Sequence, residues 1–315
     1  MKYFFLVLLL PFLAKSQANN AYLNEQLPGN IPQIFAEGIV SDNFGNRDVA
    51  ISPQGDEIFF TLQSSTGIIN AILYAHKLNG KWSAPEVAVF SGVYSDLEPA
   101  FSPDGNTLYF SSNRPLIENG KRKDYDIWFV KKENNTWSQP QNMGTPVNSD
   151  KNEFYASIAK NGNIYFTRAV EDREEDIMIC KFQNNKYQPA ESLPDAINST
   201  GDEFNAFVDP DEKFILFSAY GRADDLGGGD IYISKKSEND QWQSATHLDI
   251  NSKGIDYCPY ISPDKKYFFF TSNRSEIKIP FAQKQTIQTL HQTLTSTLNG
   301  ADNIYWMKAD AIIGN

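Results

Sequence analysis

Residues 99–114 read PAFSPDGNTLYFSSNR, and Asp126 then opens DIWFVKKENNTWSQP. The first phrase is a short apolar strand, a Ser-Pro-Asp-Gly turn and a strand rich in β-branched and aromatic residues, which together write a hairpin with its turn chemistry. The second supplies a third strand, a polar turn and an aromatic residue, Trp137, that opens a fourth. The hairpin phrase recurs as VAISPQGDEIFFT from Val49, ASIAKNGNIYFTR from Ala156, AFVDPDEKFILFSAYGR from Ala206 and PYISPDKKYFFFTSNR from Pro259. The following phrase recurs from Ala71, Asp176, Asp230 and Asp302, with Trp82, Tyr187 and Trp242 matching Trp137. Four antiparallel strands repeated about every 50 residues are propeller blades.

The fold class is therefore all-β, a five-bladed β-propeller of four-stranded blades. The fifth copy stops near Ala309 without a fourth strand, whereas Pro32-Gln33-Ile34-Phe35 resembles Gln139-Pro140-Gln141-Asn142. The N-terminal segment is expected to supply the missing strand, closing the ring and removing its exposed edges. Six blades is the alternative, and it would need roughly one more repeat length. One insertion breaks the pattern. Phe281 to Leu298 reads as helix, with Ile287, Leu290, Leu294 and Leu298 at three- and four-residue steps. At 1.5 Å per residue it would be about 27 Å long, enough to lie across much of one face. It is either packed on its own domain or serves as a lid or docking helix.

Composition narrows the function. The 315 residues carry a net charge of -11, which disfavours a binder of phosphate backbones. Met1, Lys2, the apolar run Tyr3 to Leu13 and the small residues around Ser16-Gln17-Ala18 have the layout of a secretory signal peptide. Residues 1–18 are assigned to it, and 19–315 to one propeller domain with no stable membrane insertion. Exported, the protein would reside in the periplasm or at the cell surface. Cys180 and Cys258 fall in nonadjacent blades, too far apart to bridge, and are expected to be free and buried. Three scattered histidines make no metal motif, so no metal and no cofactor are expected.

Seven residues before each hairpin turn stand Asn46, Asp96, Glu153, Glu203 and Asp256. Asp48 and Glu98 lie two residues further in, while Arg114, Arg168, Arg222 and Arg274 end the second strands on the same face. Two readings follow. Each acid pairs with its own blade's arginine, or the ring at the channel mouth, Asp96, Glu98, Glu153, Glu203 and Asp256 with the four arginines, binds a cation, a basic peptide or sugar hydroxyls. The recurring Trp82, Trp137, Tyr187 and Trp242 are expected to pack between blades.

SPDGNTLYFSSNR with DIWFVKK resembles the WD-like repeat of TolB-type β-propellers. The linker NNTWSQPQNMGTPVNSDKNEF is similar to propeller domains found beside OmpA-like domains in Bacteroidetes-type envelope proteins. The likeness covers roughly residues 30 to 310 and implies a binding scaffold or an accessory domain, although TolB itself resembles a six-bladed ring with a further N-terminal domain. A nucleophile elbow, a zinc-binding HExxH and a phosphate loop are all missing from the sequence. The expectation is a non-catalytic, monomeric envelope protein that engages another envelope protein, or a glycan, through its channel mouth. The alternative is a glycan-binding module or a glycoside hydrolase using two channel carboxylates.

Overall fold

The computed structural model describes residues 22–117, 119–134, 136–170 and 175–314; the expected signal peptide, 1–18, lies outside them. Five antiparallel sheets each start with an inner strand: Gly45–Ile51, Asp96–Phe101, Glu153–Ile158, Asp202–Val208 and Asp256–Ile261. Second strands return over Glu57–Gln63, Thr107–Ser112, Ile164–Ala169, Phe214–Tyr220 and Tyr267–Ser272. Third strands follow over Asn70–Leu78, Asp126–Glu133, Glu175–Cys180, Asp230–Lys235 and Asn303–Lys308. The protein is a five-bladed propeller.

Each hairpin turns the same way because its sequence repeats the same chemistry. The N–H of Gly55, Gly105, Gly162, Glu212 and Lys265 donates to the carbonyl three residues before it, and all five residues have positive φ. Glycine fills that position in three blades, where the left-handed backbone costs it nothing. Ser52, Ser102 and Ser262 hydroxyls then accept the N–H of the residue opening the second strand. These turns, with Pro53, Pro103, Pro210 and Pro263, define one face of the ring.

The outer strands are only two residues long: Glu86–Val87, Gln141–Asn142, Glu191–Ser192 and Thr246–His247. The aromatic column does not open them as expected. Trp82 and Trp137 instead close a tight hairpin on the end of the third strand, Tyr187 closes one with Phe182, and Trp242 bridges Lys236. In three blades Pro85, Pro140 or Pro189 follows, and a residue without an N–H interrupts the ladder before pairing resumes. The aromatics do pack between blades: Trp137 stands edge-on to Phe59 of the preceding blade at 5.9 Å and lies 6.0 Å from Phe101 of its own.

The fifth blade is completed by Gln33–Ile34, which pairs with Trp306 and Tyr305. Phe35, fully buried, anchors the closure edge-on to Phe269 and Trp306, both at 5.1 Å. Five apolar clusters fill the spaces between blades, and the one holding Phe35 joins the first blade to the last. Both cysteines are free and buried.

The insertion is shorter than its periodicity predicts. The helix covers Ile287–Leu294, eight residues or about 12 Å, not Phe281 to Leu298. A capping box between Thr286 and Thr289 starts it late, and Thr293, Thr295 and Ser296 hydroxyls bonding back to carbonyls end it early. Ile287 and Leu294 remain exposed. The segment is tied to the rim by Thr297 to Glu37 and Asn299 to Asn43.

Candidate functional site: the plugged channel and its mouth

The four acid–arginine pairs form as the repeat suggests. Arg114 meets Asp96 at 2.6 Å, Arg168 meets Glu153 at 2.8 Å, Arg222 meets Glu203 at 2.8 Å and Arg274 meets Asp256 at 2.6 Å. All four carboxylates are inaccessible to solvent. Each arginine also donates to a carbonyl of the segment arriving from the preceding blade: Phe90, Val147, Ile197 or Ile250. The pairs therefore lock each inner strand to its neighbour's exit. None of these eight residues lines the cavity at the mouth; of the expected ring, only Glu98 does. The reason is topological. Blade sheets stand radially, so the inner strand turns its edge to the axis and its regular side chains toward the neighbouring blades.

What reaches the axis is a bulge. Pairing between inner and second strands slips between Arg47 and Ala50, Leu97 and Ala100, Phe154 and Ser157, Phe204 and Phe207, and Tyr257 and Tyr260. At each slip one residue has left-handed backbone: Asp48 at φ 58°, Glu98 at 60°, Tyr155 at 50°, Asn205 at 50° and Cys258 at 52°. A bulge re-aims its side chain. Four of these residues are held there by an N–H donated to a hydroxyl on the preceding blade's second strand: Thr271, Thr61, Ser111 and Thr167 in turn.

The five side chains and Arg47 meet across the axis. Arg47 donates to Asp48 at 2.8 Å and Glu98 at 2.9 Å, with its guanidinium 4.9 Å from the Tyr257 ring centre. Cys258 donates to Asp48 at 2.7 Å, and Asn205 of the fourth blade donates to Glu98 of the second at 3.1 Å. The Tyr155 hydroxyl crosses to the Pro259 carbonyl at 3.0 Å. Ser111 Oγ and the Tyr155 N–H complete the Glu98 carboxylate at 2.9 and 2.8 Å. Burial pushes the Glu98 carboxyl up to about 7, Arg47 pulling against it and Asp48 adding to it. Burial likewise raises the Cys258 thiol, so it stays protonated and inert.

This cluster divides the channel into two blind cavities, and Glu98 touches both. The mouth-side cavity, about 490 Å³, is lined by Arg47, Glu98, Tyr125, Glu175, Tyr257 and Asp302 among others. Burial and the nearby Asp202 push Glu175 up to about 6 against Arg47. Asp302 is raised by burial, while Arg47 and the Tyr257 hydroxyl hold it down. No residue of 275–300 lines this cavity, so the helical insertion borders the mouth without covering it. Among the described residues no group of three or more His, Cys, Asp or Glu is placed to hold a metal ion.

Many solved structures are similar to this chain in fold. One solved as a glycoside hydrolase matches 85% of this chain and 88% of its own, at 9% identity and a TM-score of 0.55. TolB from Acinetobacter baumannii matches at 17% identity over 84% of this chain and 54% of its own, TM-score 0.46. A candidate TolB from Agrobacterium tumefaciens matches at 14% over 84% and 90%, TM-score 0.47. The likeness is one of fold. No protein-family description matches the chain, and no curated protein does.

Sequence reasoning reached Glu98 and Asp48 but missed Arg47, Tyr155, Asn205, Cys258, Glu175 and Asp302. One signal was available. The column two residues after Asn46, Asp96, Glu153, Glu203 and Asp256 holds a different residue in every repeat but stays capable of hydrogen bonding. A position that changes while its neighbours repeat has been released from the shared scaffold.

Proposed function

We propose that this is an exported, non-catalytic binding protein of the cell envelope whose channel mouth receives a basic segment of another protein. The observation that carries the reading is the charge balance of the mouth cavity. Glu98, Glu175 and Asp302 line it against one described cation, Arg47, whose guanidinium is already engaged by Asp48 and Glu98. Among the described residues no further cation lines the cavity beside Glu175 and Asp302, and the whole chain at -11 would steer a basic segment toward them. The four arginine-paired acids, closed upon themselves, support a rigid scaffold around that mouth. Export rests on the character of residues 1–18.

The test is titration of an oligolysine peptide into the propeller at low and high salt. Binding should weaken severalfold in Glu175→Gln and further in the double variant with Asp302→Asn. It should also fall as pH drops through about 6, where Glu175 takes up its proton. Binding that ignores both substitutions and salt overturns the proposal.

A second reading rests on the same two carboxylates. A raised Glu175 facing a cavity with Asp302 has the ingredients of a general acid and a partner carboxylate. Turnover of nitrophenyl glycosides that is abolished by Glu175→Gln would favour hydrolysis over binding. Glu98 takes no part in such chemistry, because four donors already occupy its two oxygens.

A further inference from the structure

The opposite end of the channel is smaller and more apolar than the mouth. Beyond the plug, on the face of the hairpin turns, lies a cavity of about 230 Å³. Pro53, Pro103, Pro210 and Pro263 form its rim, and the rings of Phe101, Phe207 and Tyr260 are among its walls. Its floor is Glu98 and Tyr155 of the plug.

Most polar side chains of this lining already have partners within the protein. Ser157 Oγ accepts the Val208 N–H at 2.9 Å. The Tyr260 hydroxyl bridges the N–H and carbonyl of Ile51, both at 3.1 Å. Tyr155 and Glu98 are engaged across the axis as described. The rim lysines are neutralised as well, Lys265 by Asp209 at 2.6 Å and Lys160 by Asp211 at 2.9 Å. Water in such a cavity finds few free partners, so displacing it with an apolar group is favourable. A charged or sugar-like ligand would find few free polar groups to replace its hydration.

From these observations we propose that the turn-side end of the channel is a binding site for one neutral aromatic ring, of benzene to indole size. The size follows from the cavity: an apolar cavity of about 150 Å³ holds benzene, and this one is somewhat larger. The ring chemistry follows from the walls. Phe207 already stands edge-on to Tyr260 at 5.4 Å, and an inserted ring extends that packing. Four prolines keep the entrance open at little entropic cost, since their backbone is already restricted. The site is separate from the acidic mouth, with the charged plug between them.

Indole is the probe, followed by calorimetric titration and by near-ultraviolet circular dichroism. The unaltered protein should bind it saturably at one site. Ala100→Phe fills the cavity from its wall and should weaken binding at least tenfold while the near-ultraviolet spectrum shows a folded protein. Should that variant fail to fold, Ala100→Val and Phe207→Leu should give graded, severalfold losses. Glu175→Gln, at the other end of the channel, should leave indole binding unchanged. N-acetyltryptophanamide distinguishes the source: equal binding means that the site takes the side chain of a peptide, and binding of indole alone means that it takes a free small molecule. Absence of saturable indole binding, or binding indifferent to the Ala100 and Phe207 variants, overturns the proposal.

Discussion

Arg47 shows how one residue can hold a ring together. It stands where the other inner strands place Leu97, Phe154, Phe204 and Tyr257, and its charge is what lets Asp48 and Glu98 share the axis. Asp48 is 1% exposed and Glu98 is 3%, so neither can turn to water when the cation is removed. Leaving buried carboxylates uncompensated costs about 3–5 kcal/mol. Arg47→Met should therefore lower unfolding stability by about that amount at pH 8, as read by urea denaturation. The loss should shrink at pH 5. Glu98 has a folded value already raised to about 7, so below that pH the folded protein holds a proton that the unfolded chain releases down to its ordinary carboxylate range. Its burial penalty is thus present above about 7, fades as pH falls, and is gone below the unfolded value.

Among the elements, one two-residue strand closes the ring. Gln33–Ile34 contributes two residue pairs to the fifth sheet, and the following Phe35 contributes a fully buried ring between Phe269 and Trp306. Truncating a buried phenylalanine costs about 3–5 kcal/mol. Phe35→Ala should destabilise by that much, and limited proteolysis should cut first near the N-terminus, because the lost packing is what presses the closing strand onto the last blade. An equal ΔΔG with cleavage elsewhere would show that the closure does not depend on this ring. The helical insertion teaches the reverse lesson. Its leucine periodicity is real, yet Ile287 and Leu294 meet no core, and hydroxyl-rich neighbours stop the helix at eight residues. Periodicity reports which face is apolar; it does not report that something covers it.

For the whole molecule, cooperativity is the property to measure. Cys180 is inaccessible in the third blade, and Cys258 is 1% exposed at the axis. In a closed ring both thiols should become reactive to a disulfide reagent only together, at the denaturant concentration where the propeller unfolds. Reaction of Cys180 well before Cys258 would instead mean that blades open singly. The two thiols report different depths, one between blades and one in the plug, which makes their coincidence informative.

The repeat, the blade count, the closing strand, the acid–arginine pairs and the free cysteines were legible in the chain because each follows from turn residues, strand alternation and the spacing of the repeats. Five similar phrases define five similar blades. The axis was not legible in the same way. Whether a side chain points along the sheet face or into the channel depends on a one-residue bulge, and the bulge shows only when two strands are paired. For that reason Asp96, Glu153, Glu203 and Asp256, expected at the mouth, lie between blades, while Arg47, Asn205 and Cys258 meet at the centre from blades far apart in sequence. Sequence alone determined the ring, since it is written five times over. Only the tertiary structure decided what fills its centre, because the plug and its two cavities are made where five distant segments converge and no repeat specifies them singly.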